Sequence, residues 1–147
     1  MYSYSQVFAV DADPATAEKH LDLALRFLEE GKALVDRDPV QASEKPYKAA
    51  EEVVKTLTIC YNLSEVLDVV EEKGRWTVAE LEEAVELISK RVGKWFIASW
   101  ESANYLHVWG FHEAKLDAEA VKIRARYVEK IVLEAKKIVE DKATCTH

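Results

Sequence analysis

The sequence is poor in the residues that interrupt helices. It has four glycines and three prolines in 147 residues. The Gly-rich signals of β-hairpins and of phosphate-binding loops are therefore missing. Alternation of apolar and polar residues with a period of two is never sustained, so no segment is predicted to form a strand. These absences exclude the common sheet architectures and the glycine-rich type of nucleotide site.

Long hydrophobic runs are also missing. No stretch of 18 residues lacks charged side chains, so no membrane span is predicted. The first ten residues, MYSYSQVFAV, carry no basic leader. We expect a cytoplasmic protein with no membrane partner.

Cysteine is scarce, and its spacing excludes a zinc ribbon or finger. Cys60 and Cys145 lie far apart in the sequence and have no metal-type pattern. The common interpretation is one core thiol and one tail thiol. A disulfide between them is the alternative if the source is a hyperthermophile, which the Glu and Lys content favours.

What the chain does contain is a mixture of 49% hydrophobic and 32% charged residues in short periods. Its length suits a single domain over residues 1–147, with an N-terminal extension at 1–12 and a frayed tail at 143–147. The net charge is −7. Residues 1–73 hold 8 basic and 15 acidic side chains, and residues 74–147 hold 12 of each. Nonspecific binding to duplex DNA is not expected, and an anion site belongs in the second half.

Helical caps precede nearly every apolar stripe. We predict helices at 14–37, at about 43–61, at 78–92, at 94–109 and from 118 to about 142, with 63–72 either extending the second helix or forming a short one. Lys73-Gly74 and Gly110 are predicted helix ends. The expected fold is all-α, an antiparallel bundle of four to five helices.

The second helix has two candidate starts. Asp38-Pro39 is a helix-start signal, and Pro46 follows seven residues later. A start near Ser43 places Pro46 in the first turn, where it costs little. A start at Pro39 would place Pro46 inside the helix and predicts a kink. The first start is favoured.

The stretch WESANYLHVWGFHE, at 100–113, is unusually aromatic. On a helix it is apolar almost all round, which predicts a position at the centre of the bundle or against a second subunit. Trp100 and Trp109 are therefore expected to be core or interface anchors. A homodimer through helix 94–109 is the expected partner.

The same stretch supplies the candidate site. His107 falls in the last turn of the predicted helix, where one interpretation is a hydrogen-bonded core histidine, and His112 and Glu113 follow in the connection. The functional interpretation is that these three residues converge on a pocket with Trp100 and Asn104, while Lys90 and Arg91 form a basic cluster close to the start of helix 94–109. These seven residues are the predicted ligand-binding set. A spacing of five between the histidines lacks the i, i+4 geometry of a helical zinc pair, so no metal site and no cofactor are predicted. His107 is also a weak candidate for a general base.

Three stretches carry a family resemblance: ASEKPYKAAEEVVKTL at 42–57, GRWTVAELEEAVEL at 74–87 and WESANYLHVWGFHEAKLD at 100–117. Together they resemble the archaeal PaREP family. The resemblance implies a HEPN-like helical bundle, commonly dimeric, in a superfamily with nucleotide-binding partners of nucleotidyltransferases and metal-independent RNases. The RNases carry an arginine four to six residues before a histidine. Neither His107 nor His112 has one, which argues against RNase activity.

Three functions remain in play. The first is a noncatalytic module that holds a nucleotide, an RNA end or a nucleotidyltransferase partner near His107 and His112. The second is a protein–protein interaction module, antitoxin-like or a scaffold component. The third, an enzyme with His107 as its base, has the least support, so the chain is more readily explained without catalysis.

Overall fold

The computed structural model describes residues 14–141 and Cys145. These residues form six α-helices and one π-helical segment: α1 Pro14–Leu34, α2 Pro39–Cys60, α3 Ser64–Lys73, α4 Val78–Val92, α5 Trp95–Tyr105, the π-helix Leu106–His112 and α6 Ala118–Glu140. The described part contains no strand, which confirms the prediction of an all-α chain. The extension at 1–12, the Asp13 cap and the tail apart from Cys145 lie outside the described residues.

The predicted start of the second helix near Ser43 is wrong. The Asp38 side chain accepts a hydrogen bond from the Gln41 backbone N–H at 3.1 Å, so α2 begins at Pro39. Asp38 acts as an N-cap, and this signal outweighed the expected cost of Pro46 inside the helix. Gly31 of α1 packs closely on this part of α2, because an added Cβ there would lie 3.1 Å from Lys45 Cβ.

The other helix boundaries follow their local signals closely. Residues 63–72 form a separate short helix, which ends at Gly74 with φ 74°. Glu80 accepts hydrogen bonds from the Thr77 backbone N–H at 3.0 Å and its hydroxyl at 2.6 Å, and this confirms the predicted start of α4 at Val78. Asp117 accepts from the Ala120 N–H at 2.8 Å and confirms the start of α6. The first helix ends at Leu34 rather than residue 37, since 35–37 form a turn.

The centre of the described bundle is α2. It packs against α1, α4, α5, α6 and the π-helix, and its buried face runs from Ala42 to Cys60. The polar side chains Thr56 and Thr58 are buried there and donate to backbone carbonyls one turn earlier, at 2.8 and 2.7 Å. The aromatic helix does not occupy the centre, contrary to one of its two predicted positions, and it leaves Tyr105, Val108 and Trp109 exposed.

The two cysteines are joined. Cys60, at the end of α2, forms a disulfide with Cys145, and both residues are buried. The prediction of two separate thiols is therefore wrong, and the disulfide alternative is confirmed. It fixes the one described residue of the tail to the central helix.

None of the helices described is both long enough and apolar enough to cross a membrane.

Candidate functional site

The aromatic helix does not end at Gly110 as predicted. After Tyr105 the chain continues as a π-helix to His112, in which the repeat of backbone hydrogen bonds is five residues instead of four. The Glu113 N–H donates to the Val108 carbonyl at 2.8 Å within this pattern. Residues five apart therefore lie on one side of the segment. On an α-helix His107 and His112 would be about 140° apart around the axis.

Gly110 is what allows this segment to approach the central helix. A Cβ built on Gly110 would overlap Ser43 Oγ and would lie 2.5 Å from Ser43 Cβ. Any side chain at this position would therefore clash with Ser43. Ser43 is buried, and its hydroxyl donates to the Pro39 carbonyl at 2.7 Å. Leu106 joins Val35, Ala42 and Val121 in a small apolar cluster beside this contact. Gly110 is thus a packing residue and not a helix terminator.

The close approach produces a chain of three hydrogen-bonding side chains. Glu44 Oε1 lies 2.6 Å from His107 Nδ1, and His107 Nε2 lies 3.1 Å from His112 Nε2. A carboxylate only accepts, so His107 donates through Nδ1. With both imidazoles neutral, His107 Nε2 then accepts from the Nε2–H of His112. This series of hydrogen bonds runs from the partly buried Glu44 and His107 to the exposed His112.

The imidazole of His107, the inner histidine, packs against an aromatic ring. Tyr47, one turn after Glu44 on α2, stacks on the His107 ring with centroids 4.0 Å apart and an interplanar angle of 19°. Phe111 lies on the solvent side, with its ring 5.2 Å from that of His112. The inner imidazole is therefore oriented by both a hydrogen bond and a stacked ring.

The surroundings of the hydrogen-bonded side chains Glu44, His107 and His112 are acidic. Burial is the main cause that raises the pKa of Glu51; Lys55 opposes it, and Glu52 and Glu44 reinforce it. Burial also raises the pKa of Tyr47 to about 12, with further increases from Glu51, Glu44 and Glu82. The protein around His107 therefore favours a cation or a neutral hydrogen-bonding group over an added anion.

Trp100 and Asn104 support the site from within the helix. Trp100 is 3% exposed, and its indole N–H donates to Glu82 at 2.8 Å. Its ring lies 6.0 Å from that of Tyr47. Asn104 donates to the Trp100 carbonyl at 3.0 Å. Trp100 is thus a core residue behind Tyr47, whereas Trp109, 45% exposed, is not in the core.

Lys90 and Arg91 do not join the histidines. The Arg91 guanidinium lies 4.8 Å from the ring of Tyr61, which caps the far end of α2. Tyr61 follows Glu44 by 17 residues, about 25 Å along a helix. Lys90 lines a cleft between α4 and α5. Glu113 ends the π-helix and has an exposed side chain.

A second cavity, of about 320 Å³, lies among α1, α2 and α6. Its floor is apolar, and the ion pairs Lys32–Glu129 and Lys122–Asp36 stand at its rim with Arg126. None of the residues predicted for the site lines it.

Sequence reasoning missed the contribution of α2. Glu44 and Tyr47 both lie in the ASEKPYKAAEE stretch that carries the family resemblance, but nothing local connects them with residue 107. Among the described residues, no group of three or more His, Cys, Asp or Glu side chains is arranged to hold a metal ion. Chemically, the chain of Glu44, His107 and His112 is suited to sharing a proton or to presenting imidazole nitrogens to a ligand.

Comparisons with known proteins identify relatives of this chain. The sequence pattern of the archaeal PaREP1/PaREP8 family matches residues 19–132. A crystal structure of a protein from Sulfolobus solfataricus is 38% identical and has a TM-score of 0.75, over 81% of this chain and 97% of that one. A solution structure of the same structural-genomics target is 37% identical with a TM-score of 0.65, over 89% and 96% of the two chains. None of the curated proteins matches. The chain belongs to the archaeal PaREP1/PaREP8 family.

Proposed function

We propose that this protein is a noncatalytic binding module of HEPN-like architecture, an antiparallel bundle whose site is the chain of Glu44, His107 and His112. The ligand is a nucleotide or an RNA end. The observation that carries the proposal is the 3.1 Å contact between the two imidazoles, which is anchored by Glu44 inside the protein and open at His112. Such an arrangement presents a fixed ring nitrogen to a ligand at the surface.

The acidic surroundings favour one orientation of that ligand. Glu44 and Glu51 would repel a phosphate placed beside His107, whereas a nucleobase is neutral and offers hydrogen-bond donors and acceptors. Phe111 and His112 also supply ring faces on which a base can stack. We therefore place the base at the histidines and the phosphate away from them.

The partners of His107 favour binding over catalysis. They are a carboxylate, a second imidazole and the ring of Tyr47. Nucleophilic catalysis by a serine, threonine or cysteine with His107 as the base needs that hydroxyl or thiol within hydrogen-bond reach of the imidazole. Among the described residues, the side-chain hydroxyls of Ser43 and Ser102 donate to backbone carbonyls instead.

Fluorescence anisotropy with a 5′-labelled single-stranded RNA, competed by free nucleotides, tests this proposal. His112→Ala should weaken binding at least tenfold, because it removes the exposed end of the chain without touching the core. Arg91→Ala is the matched control and should bind like the wild type, since Arg91 of α4 contacts Tyr61 at the end of α2 that is remote from Glu44. Circular dichroism checks that both variants fold. Equal affinity of wild type and His112→Ala, or a loss confined to Arg91→Ala, would refute the assignment.

A protein–protein interaction module is the second candidate, favoured by the exposed aromatic surface. Tyr105, Val108 and Trp109 are 39%, 41% and 45% exposed on consecutive turns of α5 and the π-helix. Large exposed aromatic residues are typical interface anchors. A homodimer through this surface would bury them.

The mass in solution tests the dimer. Light scattering coupled to gel filtration should give a dimer for the wild type and a monomer for Trp109→Ala. Leu133→Ala is the control, because Leu133 is 49% exposed on α6 and its loss should leave the dimer intact. A monomeric wild type would rule out the homodimer, and a dimer that survives Trp109→Ala would move the interface elsewhere.

A further inference from the structure

Two imidazole nitrogens lie close together at the exposed end of the site. His107 Nε2 and His112 Nε2 lie 3.1 Å apart, and the rings are nearly perpendicular, at 77°. We propose that this pair is a binding site for a divalent transition-metal ion, with both Nε2 atoms as ligands and water in the other coordination positions. The proposal goes beyond the binding function above and does not depend on it.

The separation of the nitrogens suits a shared ion. Imidazole nitrogens bind Zn²⁺ at about 2.0–2.1 Å, so two of them at angles of roughly 90–109° lie about 2.9–3.4 Å apart. The 3.1 Å between His107 and His112 falls inside that range. The π-helix creates this geometry for a spacing of five, as the α-helix does for a spacing of four.

Glu44 prepares the inner histidine for this role. By accepting the Nδ1–H of His107 at 2.6 Å, it fixes the tautomer in which Nε2 carries the lone pair. A carboxylate on the far nitrogen of a ligating histidine is a common feature of metal sites and orients the ring. Tyr47 restricts the ring further by stacking on it. Glu44 would thus be a positioning residue and not a ligand.

The local charge and the access to solvent also suit a cation. Glu44 and the partly buried Glu51 contribute negative charge around His107, and Lys90 and Arg91 are remote from it. His112 is exposed, so water can reach the ion. With two protein ligands and no third His, Cys, Asp or Glu grouped with them in the described residues, the ion would exchange readily. Two imidazoles select zinc, nickel or copper over magnesium and calcium.

Isothermal titration of the oxidised full-length protein with ZnCl₂, in the absence of any nucleotide, tests the proposal. The wild type should bind one equivalent. His112→Ala should weaken binding at least tenfold, and Glu44→Gln should weaken it roughly 10- to 100-fold. His20→Ala is the matched control, since His20 pairs with Glu52 at 3.0 Å but has no second imidazole. It should bind zinc like the wild type.

A spectrum separates ligation from a merely structural effect. Co²⁺ in place of Zn²⁺ should show visible d–d bands that are shifted and intensified relative to aqueous Co²⁺ in the wild type and in His20→Ala, and this change should be absent in His112→Ala. Absence of one-to-one zinc binding in the wild type would overturn the proposal. Equal affinity of wild type and His112→Ala would also overturn it. Either result leaves the nucleotide test untouched, provided that the anisotropy measurement is made with a metal chelator present.

Discussion

At the scale of single residues, Tyr47 connects the candidate site with the core. It is 9% exposed, it stacks on His107, and burial together with Glu51, Glu44 and Glu82 raises its pKa to about 12. Absorbance at 295 nm should therefore show one tyrosine that ionises near pH 12, above the ordinary value of about 10. Tyr47→Phe should remove that step. A wild-type titration with no component above pH 11 would contradict this account.

The raised pKa of Tyr47 also determines how the stability of the protein changes with pH above 10. Between pH 10 and 12 the unfolded chain loses the Tyr47 proton while the folded chain keeps it, so the free energy of unfolding falls as pH rises through this interval. The stabilising contribution is complete below pH 10. Denaturant titrations at pH 9.5 and 11.5 should show a smaller decrease for Tyr47→Phe than for the wild type. Glu44 and Glu51 lie within about one turn of Tyr47 on α2 and are visible in the sequence, whereas the burial of Tyr47 and its approach to Glu82 depend on tertiary contacts.

At the scale of elements, the π-helix depends on one close contact. Gly110→Ala should destabilise the protein by about 1–3 kcal/mol, because the new methyl group would overlap Ser43 and force the segment away from α2. The His107–Glu44 contact should lengthen as a result, which NMR of the histidine rings can detect. Thermal or denaturant unfolding measures the cost.

A compensating change tests the mechanism. Ser43→Gly removes the atoms that the new methyl would meet, so the double variant should recover part of the lost stability despite a second helical glycine. Simple additivity of the two losses would show that the Ser43 contact is not the cause.

Helix starts could be predicted from the sequence where a cap acts locally. Thr77 with Glu80 and Asp117 with Ala120 lie within one turn, and the predicted starts of α4 and α6 are confirmed. The start of α2 differs from the prediction because the Asp38 cap outweighs the cost of Pro46 inside the helix. The π-helix could not be predicted, since its cause, Ser43, lies 67 positions before Gly110.

The position of the aromatic helix was also beyond local reasoning. Its composition is typical of a helix at the centre of the bundle or against a second subunit, but α2 occupies the centre. The buried threonines of α2 donate their hydroxyl hydrogens to backbone carbonyls of the same helix. Burial therefore does not require an apolar sequence. The aromatic stretch identifies the two histidines of the site but not Glu44, because Glu44 lies 63 positions before His107 and only the fold brings the two side chains together.

At the scale of the whole molecule, the disulfide ties the end of the chain to its centre. Cys60 and Cys145 are 85 residues apart, and in the chain-entropy model a loop of that size gives a stabilisation of about 4.5 kcal/mol by constraining the unfolded chain. Denaturant unfolding of the wild type with and without reductant should show a difference of that order. Cys145→Ser should resemble the reduced wild type and should not respond to reductant. Identical midpoints for oxidised and reduced wild type would contradict the prediction.

The π-helix makes the chain sensitive to length at one place. Deleting one residue between His107 and His112 would restore an α-helical count and leave the two imidazoles four apart, still on one face. Deleting one residue just before His107 would instead turn both imidazoles about 100° away from Glu44. Insertions and deletions in this segment are therefore not equivalent. In a family alignment, a spacing of five would mark chains that use the π turn, and a spacing of four would mark chains that reach the same pairing on a continuous α-helix.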